Sequence, residues 1–521
     1  MQYFFFNNKL KMERIASLFL LCLAGNMYAG GIKVDKRPNI LLFLVDDMGW
    51  QDTSVPFWNQ KTPFNERYET PNMERLARKG MKFTQAYANS ISSPSRVSLF
   101  TGMNSTCHKV TNWTLERNAS NDAPSDKLIY PQWNVNGFCQ QDKIEHCTYA
   151  TSLAQLLKDN GYYTIHCGKA HFAARSTPGE NPLNMGFDVN IAGGAPGAPG
   201  TYQGLTHFGN AYEGHAPSKF ATPGLEEYRG KDIFLTEALT LEAVRALDKV
   251  KQENQPFFLY MAHYAIHVPL EKDKRFYKKY KEKGLSDNDA AYAGLIEGMD
   301  KSLGDLMDYL EKNDLMDNTI ILFMSDNGGL ASEPYWHTPL YVQNAPLSSG
   351  KGSAHEGGIR EPMMVYWPGV TQPQTECDKY VIIEDFFPTI LGMAKIKRYH
   401  TVQRVDGISF IPLLTGKKDT SKNRALFWNF PNGWGEEGPG FGASCTIRKG
   451  DWKLIYYYGT QKKELFNIAN DLSEKQNLVQ SHPGIVKRLS DELGKYLRKN
   501  KAQRPRFKST GKLVPWPDEV L

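Results

Sequence analysis

The side chains of this chain best suited to chemistry stand at widely separated points of the sequence. They are acids and an amide, lysines and histidines: Asp46, Asp47, Lys169, His171, His267, Asp326, Asn327 and Lys351. Three carboxylates and an amide supply mainly oxygen, which favours calcium over magnesium and disfavours zinc. An Asp-Asp pair alone is more often a cap or turn, and Asp-Asn-Gly-Gly is a common turn, so a metal site requires the two pairs to meet.

Three cations could hold an anionic group: Arg96, Lys169 and Lys351. Lys351 lies in the glycine-rich stretch 349–360, where glycine allows close backbone approach and the lysine acts as a point charge. His171 and His267 are the candidates for proton transfer, because a neutral imidazole titrates near neutral pH. The remaining histidines of interest are interpreted as structural or substrate-facing: His263, His337 and His355.

Ser92 is the candidate nucleophile. It opens Ser92-Ser93-Pro94-Ser95-Arg96, and Leu99, Thr101 and Gly102 follow. A bare serine is a poor nucleophile near neutral pH unless a base or metal activates it. The motif therefore has to be explained by partners elsewhere in the chain or by a modification of the serine.

Buried strands are predicted just before most of these residues. Continuous apolar runs, typical of strands covered on both faces, occur at 39–45, 162–165, 256–261 and 319–324. Ligands of open parallel sheets bind beyond the carboxyl ends of the strands. The sequence therefore predicts that the polar groups after these runs meet at one edge of a sheet.

Strands and helices alternate over most of the chain, which predicts an α/β fold with a large, mostly parallel sheet sandwiched by helices. Helices are expected at 72–78, 151–160, 236–251 and 290–313. Strands at 425–430 and 452–458 and a helix at 483–499 predict a smaller antiparallel C-terminal α+β subdomain. The expected divisions are a signal peptide at 1–30, a catalytic domain at 37–424 and the subdomain at 425–521. The Gly/Pro-rich stretch 193–204 is interpreted as a surface loop near a site.

Composition and the N-terminus restrict the class of protein. The chain has 521 residues, 41% of them hydrophobic and 23% charged, with a formal net charge of +6, which gives no argument for nucleic-acid binding. Arg14 precedes the apolar run 15–24, too short to span a bilayer comfortably, and small residues follow at 29–31. We therefore expect a periplasmic or secreted protein with no membrane span. In such a compartment Cys139 and Cys147 are the local pair expected to form a disulfide.

In order and spacing, these motifs resemble those of type I sulfatases of the alkaline-phosphatase superfamily. The resemblance covers residues 37 to about 470 and rests on Pro38-Asn39-Ile40, Asp46-Asp47-Met48-Gly49, Thr70-Pro71-Asn72, Ser92 to Gly102, Gly168-Lys169-Ala170-His171, Asp326-Asn327-Gly328 and Gly350 to Arg360. It implies an alkaline-phosphatase-like fold and one calcium ion bound by Asp46, Asp47, Asp326 and Asn327. It also implies that Ser92 is oxidised to formylglycine, which would contribute to the metal site.

The resemblance implies the following mechanism. The formylglycine hydrate attacks sulfur with help from Asp326 and forms a sulfo-enzyme intermediate, while Lys169, His267 and Lys351 hold the sulfate. Arg96 orients the hydrate, His267 with Lys351 protonates the leaving alcohol, and His171 takes the proton of the second hydroxyl. A serine precursor resembles that of bacterial sulfatases matured by an oxygen-independent radical enzyme with iron–sulfur clusters. The implied substrate is a sulfated saccharide, cleaved at chain ends during mucin or glycosaminoglycan degradation.

Two other functions remain open. One is hydrolysis of a phosphate or phosphonate ester by the same aldehyde, although the ligands of a second metal ion are not found. The other is binding of a sulfated glycan without catalysis. The sugar and the position of its sulfate also stay open, and four segments are expected to discriminate between substrates: Asn112-Trp113, 206–220, Tyr335-Trp336-His337 and Trp434.

Overall fold

A large sheet organises the chain in this computed structural model, which describes residues 37–253, 255–332, 342–417, 419 and 423–520. Nine strands of the described part form it: β1 (Asn39–Val45), β2 (Met81–Tyr87), β3 (Tyr163–Gly168), β4 (Val189–Ile191), β5 (Phe257–Ala262), β6 (Thr319–Ser325), β7 (Arg360–Tyr366), β8 (Thr375–Cys377) and β9 (Val381–Ile382). Their order is β8-β2-β7-β6-β1-β5-β3-β4, and β9 also pairs with β2. The predicted signal segment 1–30 and His337 lie outside the described residues.

The centre of the sheet is parallel. β1 lies between β5 and β6 and is parallel to both, and β3 continues the parallel arrangement towards β4. Among the described strands of this sheet, only β7 runs antiparallel to its neighbours, β2 and β6. Because side chains alternate across a strand, Leu41 and Phe43 face one apolar core and Leu42 and Leu44 face the other. This two-sided burial explains the continuous apolar run of β1.

Helices cover both faces of the sheet. The α-helices of the described part are α1 (Pro63–Arg67), α2 (Pro71–Lys79), α3 (Ser92–Thr101), α4 (Ser105–His108), α5 (Leu153–Asp159), α6 (Leu235–Glu253), α7 (Tyr277–Glu282), α8 (Asp287–Lys312), α9 (Glu356–Ile359), α10 (Phe386–Met393), α11 (Ile411–Leu414) and α12 (Pro483–Lys499). Helices α2, α6 and α8 pack on one face, and α3, α5 and α10 pack on the other. Where a helix was predicted from the sequence, a helix is present.

A second, antiparallel sheet follows in the C-terminal part. Its strands, in spatial order, are β10 (Ala425–Phe430), β11 (Ser444–Lys449), β12 (Trp452–Tyr457) and β13 (Lys463–Asn467). Helix α12 packs against it through Leu489, Leu493 and Leu497. The predicted fold class, an α/β fold with a smaller antiparallel C-terminal part, is confirmed. Residues 37–521 form one compact unit, and the division at residue 424 stays a prediction.

Two further expectations concern loops and cysteines. The stretch 193–204 is not a surface loop, because residues 192–199 are buried. Cys139 lies on the short strand Phe138–Cys139, and Cys147 directly precedes the strand that pairs with it, Thr148–Tyr149. The two sulfur atoms are 3.2 Å apart as free thiols. Among the described residues, no helix has both the length and the apolar character needed to cross a membrane.

Candidate active site

The ends of β1 and β6 bring the acidic residues together. The two strands are parallel neighbours whose last residues are paired in the register. Asp46 and Asp47 follow β1, and Asp326 and Asn327 follow β6, so all four side chains meet at one edge of the sheet. They are buried, and Asp326 Oδ1 accepts a hydrogen bond from the backbone N–H of Asp47 at 3.3 Å. The structure thus brings the two predicted pairs into one cluster.

Ser92 is the first residue of α3, and its side chain points into this cluster. Its hydroxyl lies 3.1 Å from Asp46 Oδ1 and 3.1 Å from Asn327 Oδ1. The ammonium group of Lys169 donates a hydrogen bond to Ser92 Oγ at 2.9 Å. Every residue of α3 is buried. The helix therefore holds Ser92 at a fixed position between oxygen ligands and a cation.

Lys169 and Lys351 pair with two different carboxylates. The Nζ of Lys169 lies 2.7 Å from Asp46 Oδ2, and that of Lys351 lies 2.7 Å from Asp47 Oδ2. Burial lowers the pKa of Lys169, opposed by the charge of Asp46. Burial also acts against the charged form of Lys351, but the nearby aspartates raise its pKa overall, Asp47 contributing most. The backbone N–H of Lys351 donates to Gly329 O at 2.8 Å, which fixes the loop beside β6.

Arg96 lies under the cluster and connects its parts. Its Nε donates to Asp326 Oδ2 at 2.8 Å, and its Nη1 donates to the carbonyl of Lys169 at 2.7 Å. Nη1 also lies 3.2 Å from the hydroxyl of Tyr260 on β5. The side chain is completely buried. Arg96 therefore positions both Asp326 and Lys169, and Tyr260 is a supporting residue that no sequence motif indicates.

His171 is neutral, with one nitrogen available. Its Nε2 lies 2.9 Å from the carbonyl oxygen of Thr114 and 3.1 Å from Ser93 Oγ. Because a carbonyl only accepts, Nε2 carries the proton, and Nδ1 has no hydrogen-bond partner among the described residues. Burial, followed by the charges of Lys169 and Arg96, lowers the pKa of His171 well below its ordinary value. The lone pair of this neutral imidazole is therefore on Nδ1, which is the nitrogen left for a proton transfer.

His267 has the opposite tautomer. Its Nδ1 donates to the carbonyl of Val268 at 2.8 Å, so Nε2 carries the lone pair. That Nε2 lies 3.0 Å from Lys351 Nζ and 3.5 Å from Asp47 Oδ2. Burial and the charge of Lys351 lower the pKa of His267 to about 3. The mobile proton of this pair therefore resides on Lys351, a feature that the sequence does not reveal.

The oxygen cluster fits a hard divalent cation. Its donors are the side chains of Asp46, Asp47, Ser92, Asp326 and Asn327. Atoms of Asp46, Asp47 and His267 also lie within 4.8 Å of one another. Burial raises the pKa of Asp46 to about 7, and although Lys169 opposes this, Asp326 and Asp47 add to it. A cation would relieve that repulsion, and the mainly oxygen donor set matches calcium.

Other predicted residues have structural roles or border the site. His263 Nε2 lies 2.8 Å from Ser302 Oγ in the core. His355 lies between Ser348, at 2.9 Å, and Glu464, at 3.1 Å, and so supports the loop that carries Lys351. The loop 193–204 contacts the site directly, because a Cβ at position 197 would lie 2.3 Å from the ring of His171. The close approach explains a glycine there.

The four segments expected to discriminate between substrates fall in different surroundings. The ring of Trp434 lies beside Lys351, with 5.9 Å between its centroid and Nζ. Asn112 is buried and donates to Asp122 at 2.7 Å. Segment 206–220 packs on Gly200 through Gly209. The segment 335–337 lies outside the described residues.

Comparison with known proteins gives consistent matches. A family model described as Sulfatase matches residues 38–396, and one described as N-sulphoglucosamine sulphohydrolase, C-terminal, matches residues 350–503. A protein of Formosa agariphila named Sulfatase is 28% identical over 554 residues, which cover 96% of this chain and 96% of that protein.

Two further similarities involve proteins named for a carbohydrate or solved with one. The human protein named N-acetylgalactosamine-6-sulfatase is 31% identical over 511 residues, covering 89% of this chain and 88% of its own length. The crystal structure of Ps i-CgsB in complex with k-i-k-neocarrahexaose superposes with a TM-score of 0.69 at 29% identity, covering 89% of this chain and 93% of that chain.

Proposed function

Since the chain belongs to the sulfatase family and is a sulfuric ester hydrolase, we propose that it cleaves sulfate esters of carbohydrates with an aldehyde made from Ser92. One observation carries the proposal. The hydroxyl of Ser92 lies 3.1 Å from Asp46 Oδ1, 3.1 Å from Asn327 Oδ1 and 2.9 Å from Lys169 Nζ. A group at this carbon would be in contact with both the oxygen cluster and a cation.

Oxidation of Ser92 converts its CH₂OH group to an aldehyde and removes two electrons and two protons. The oxidant we propose is a maturation enzyme of the oxygen-independent radical class with iron–sulfur clusters. The hydrated aldehyde supplies two hydroxyls on one carbon, one to attack sulfur and one to drive sulfate release. A sulfated serine would have no second hydroxyl for that release.

Calcium is the proposed metal ion. When bound, it supplies positive charge that polarises the attacking hydroxyl and offsets charge on the sulfate oxygens. Asp46, Asp47, Asp326 and Asn327 are the residues that would hold it. Arg96 keeps the Asp326 carboxylate oriented through the 2.8 Å bond from its Nε.

The sulfate group would be held by Lys169, Lys351 and His267. Both ammonium groups lie at the carboxylate cluster, so they face any anion bound next to Ser92. A sulfate monoester carries one negative charge, and buried lysines act on it more strongly than exposed ones would. These residues orient the ester so that sulfur faces Ser92.

Two proton transfers are assigned to the histidines and Lys351. Lys351 donates its proton towards His267 Nε2, and we propose that this pair protonates the leaving alcohol. His171 Nδ1, which has no partner among the described residues, is the proposed acceptor for the proton of the second hydroxyl. The two imidazoles are held in opposite tautomers by the backbone carbonyls of Thr114 and Val268. Each histidine therefore offers one ring nitrogen for proton transfer, Nδ1 of His171 and Nε2 of His267.

The proposed substrate is a sulfated glycan attacked at its end in the periplasm or outside the cell. The human relative is named for N-acetylgalactosamine 6-sulfate, and the Ps i-CgsB structure contains a neocarrahexaose. Sulfated galactose and N-acetylgalactosamine are therefore the first substrates to test.

The test compares protein produced with and without a radical maturation enzyme. Mass spectrometry of the peptide containing Ser92 is expected to show the loss of two hydrogens only in the first sample, and only that sample is expected to release sulfate. Ser92→Ala should abolish turnover and keep the folded circular dichroism spectrum. Ser105→Ala, at a buried hydroxyl without a partner in the described part of the chain, is the control. Full activity of Ser92→Ala, or of unmodified Ser92, would contradict the proposal.

A further inference from the structure

A short segment of the C-terminal part reaches the mouth of the active site. This segment, residues 432–436, is called the tryptophan arm and follows strand β10. The ring of Trp434 packs directly on the backbone of Gly352, where a Cβ would lie 2.4 Å from ring atoms. Lys351 Nζ lies 5.9 Å from the centroid of the same ring. The half-buried Trp434 therefore borders the space beside Lys351, where the proposed sulfate site lies.

The tryptophan arm is held in place by hydrogen bonds with the segment 112–123. The carbonyl of Gly433 accepts bonds from Ala123 N at 3.0 Å and from Asn112 Nδ2 at 3.3 Å. Asn432 Nδ2 donates to Asp122 Oδ2 at 3.2 Å, and Asn112 Nδ2 donates to the other oxygen of that carboxylate at 2.7 Å. Trp434 is consequently held in place before any ligand binds, which lowers the entropy cost of binding against it.

Glu436 adds a negative charge to the edge of this ring. The indole Nε1–H of Trp434 donates to Glu436 Oε1 at 3.2 Å. Glu436 is an exposed residue, although partial burial of its carboxylate raises its pKa, and it interacts electrostatically with both Lys351 and Asp47. A carboxylate at this position can accept hydrogen bonds from sugar hydroxyl or amide N–H groups. It repels a second negative charge on the same sugar.

Resting on the proposed function, we propose that Trp434 and Glu436 form a sugar-binding wall that selects neutral sugars carrying one sulfate. The apolar face of a hexose or N-acetylhexosamine packs on the indole, and its polar groups bind Glu436. Sugars with a carboxylate or a second sulfate are disfavoured, because their additional negative charge would lie near the Glu436 carboxylate. No cation is assigned to neutralise that additional charge. The wall therefore determines specificity, while the strand-end residues carry the reaction.

The test measures kcat/KM of the enzyme with its Ser92 aldehyde on two sets of substrates. One set contains monosulfated galactose and N-acetylhexosamines, and the other contains a sulfated uronic acid and a disulfated glucosamine. With Trp434 and Glu436 unchanged, kcat/KM is expected to be at least tenfold higher on the first set than on the second. Glu436→Gln should reduce that ratio about tenfold. Glu437→Gln removes a charge from the neighbouring residue and should leave the ratio unchanged.

Substitutions of the ring separate stacking from charge. Trp434→Ala should lower kcat/KM on the best neutral substrate about tenfold, mainly through KM. Trp434→Phe keeps a ring and should recover most of that loss, which a general folding defect would not allow. Equal kcat/KM on the two substrate sets would contradict the proposed role of Trp434 and Glu436, and so would equal effects of Glu436→Gln and Glu437→Gln. Release of sulfate in the same experiments would still support the proposed function. If protein with a verified aldehyde releases no sulfate from any substrate, both proposals fail.

Discussion

At the scale of single residues, the charges of the site's side chains indicate that binding of a metal ion and binding of an anionic substrate are coupled. Each buried carboxylate of the cluster pairs with a buried cation: Asp46 with Lys169, Asp47 with Lys351, and Asp326 with Arg96. A divalent cation added to this balanced set would give the site two positive charges, which a sulfate monoester would offset in part. Metal binding and anion binding are therefore expected to favour each other.

Calcium should stabilise the folded protein through this cluster. A ligand that binds only the native state at 100 times its dissociation constant adds about 2.7 kcal/mol of stability. We expect calcium to raise the thermal midpoint of metal-free protein, measured by calorimetry, and a chelator to reverse the shift. Asp46→Asn removes one ligand and one charge, and should abolish most of the shift. A full calcium-dependent shift in that variant would contradict the metal assignment.

At the scale of elements, caps and loops show what sequence patterns can predict. The helix expected at 290–313 starts earlier, at Asp287, because the hydroxyl of Ser286 accepts a hydrogen bond from the N–H of Asp289. The interpretation of 193–204 as a surface loop was wrong, although its expected place near the site agrees with the structure. Glycine and proline indicate a loop, but they do not indicate that Gly197 packs against His171, which follows a different strand. Local patterns carry no information about such a contact.

Helices α8 and α2 are also connected by a contact between residues far apart in the sequence, which local patterns do not indicate. Asp300 of α8 accepts hydrogen bonds from Asn72 N at 3.0 Å and Met73 N at 2.7 Å, at the N-terminus of α2. Asp300→Asn replaces one accepting oxygen by a donor, and should lower the free energy of unfolding by about 2 kcal/mol. Urea unfolding measures this.

The control for that variant is Asp305→Asn on the same helix. Its carboxylate pairs with Lys301 in a half-exposed i,i+4 arrangement, so a change of about 0.5 kcal/mol or less is expected. Asp300→Asn should also keep the calcium-dependent shift that Asp46→Asn loses. Equal stability of the two helix variants would show that Asp300 does not cap α2.

At the scale of the whole molecule, a segment that follows a strand of the C-terminal sheet reaches the proposed site, whose residues follow strands of the central sheet. The strand-end residues could be predicted because parallel strands place their carboxyl ends on one edge. Trp434 was expected to contact the substrate, and its ring does lie beside Lys351. The bond from His355 to Glu464 could not be predicted, since nothing in either local pattern indicates the other. The joint between the two sheets depends on buried charges. Lys453 of β12 lies 3.1 Å from Glu356 and 2.9 Å from Glu474.

Lys453→Met should therefore lower the free energy of unfolding much more than Lys449→Met, which removes a lysine nearer the surface. The substitution leaves two buried carboxylates without their shared cation, and loss of one partner of a buried ion pair costs about 3–5 kcal/mol. Lys449→Met, which removes a half-exposed pair with Glu492, should cost about 1 kcal/mol or less. Urea unfolding of both variants measures the difference. Adding Glu474→Gln to Lys453→Met should recover part of the loss, because Glu474 Oε1 has lost the ammonium group that lay 2.9 Å away. Equal small losses in both lysine variants would show that the joint does not depend on Lys453.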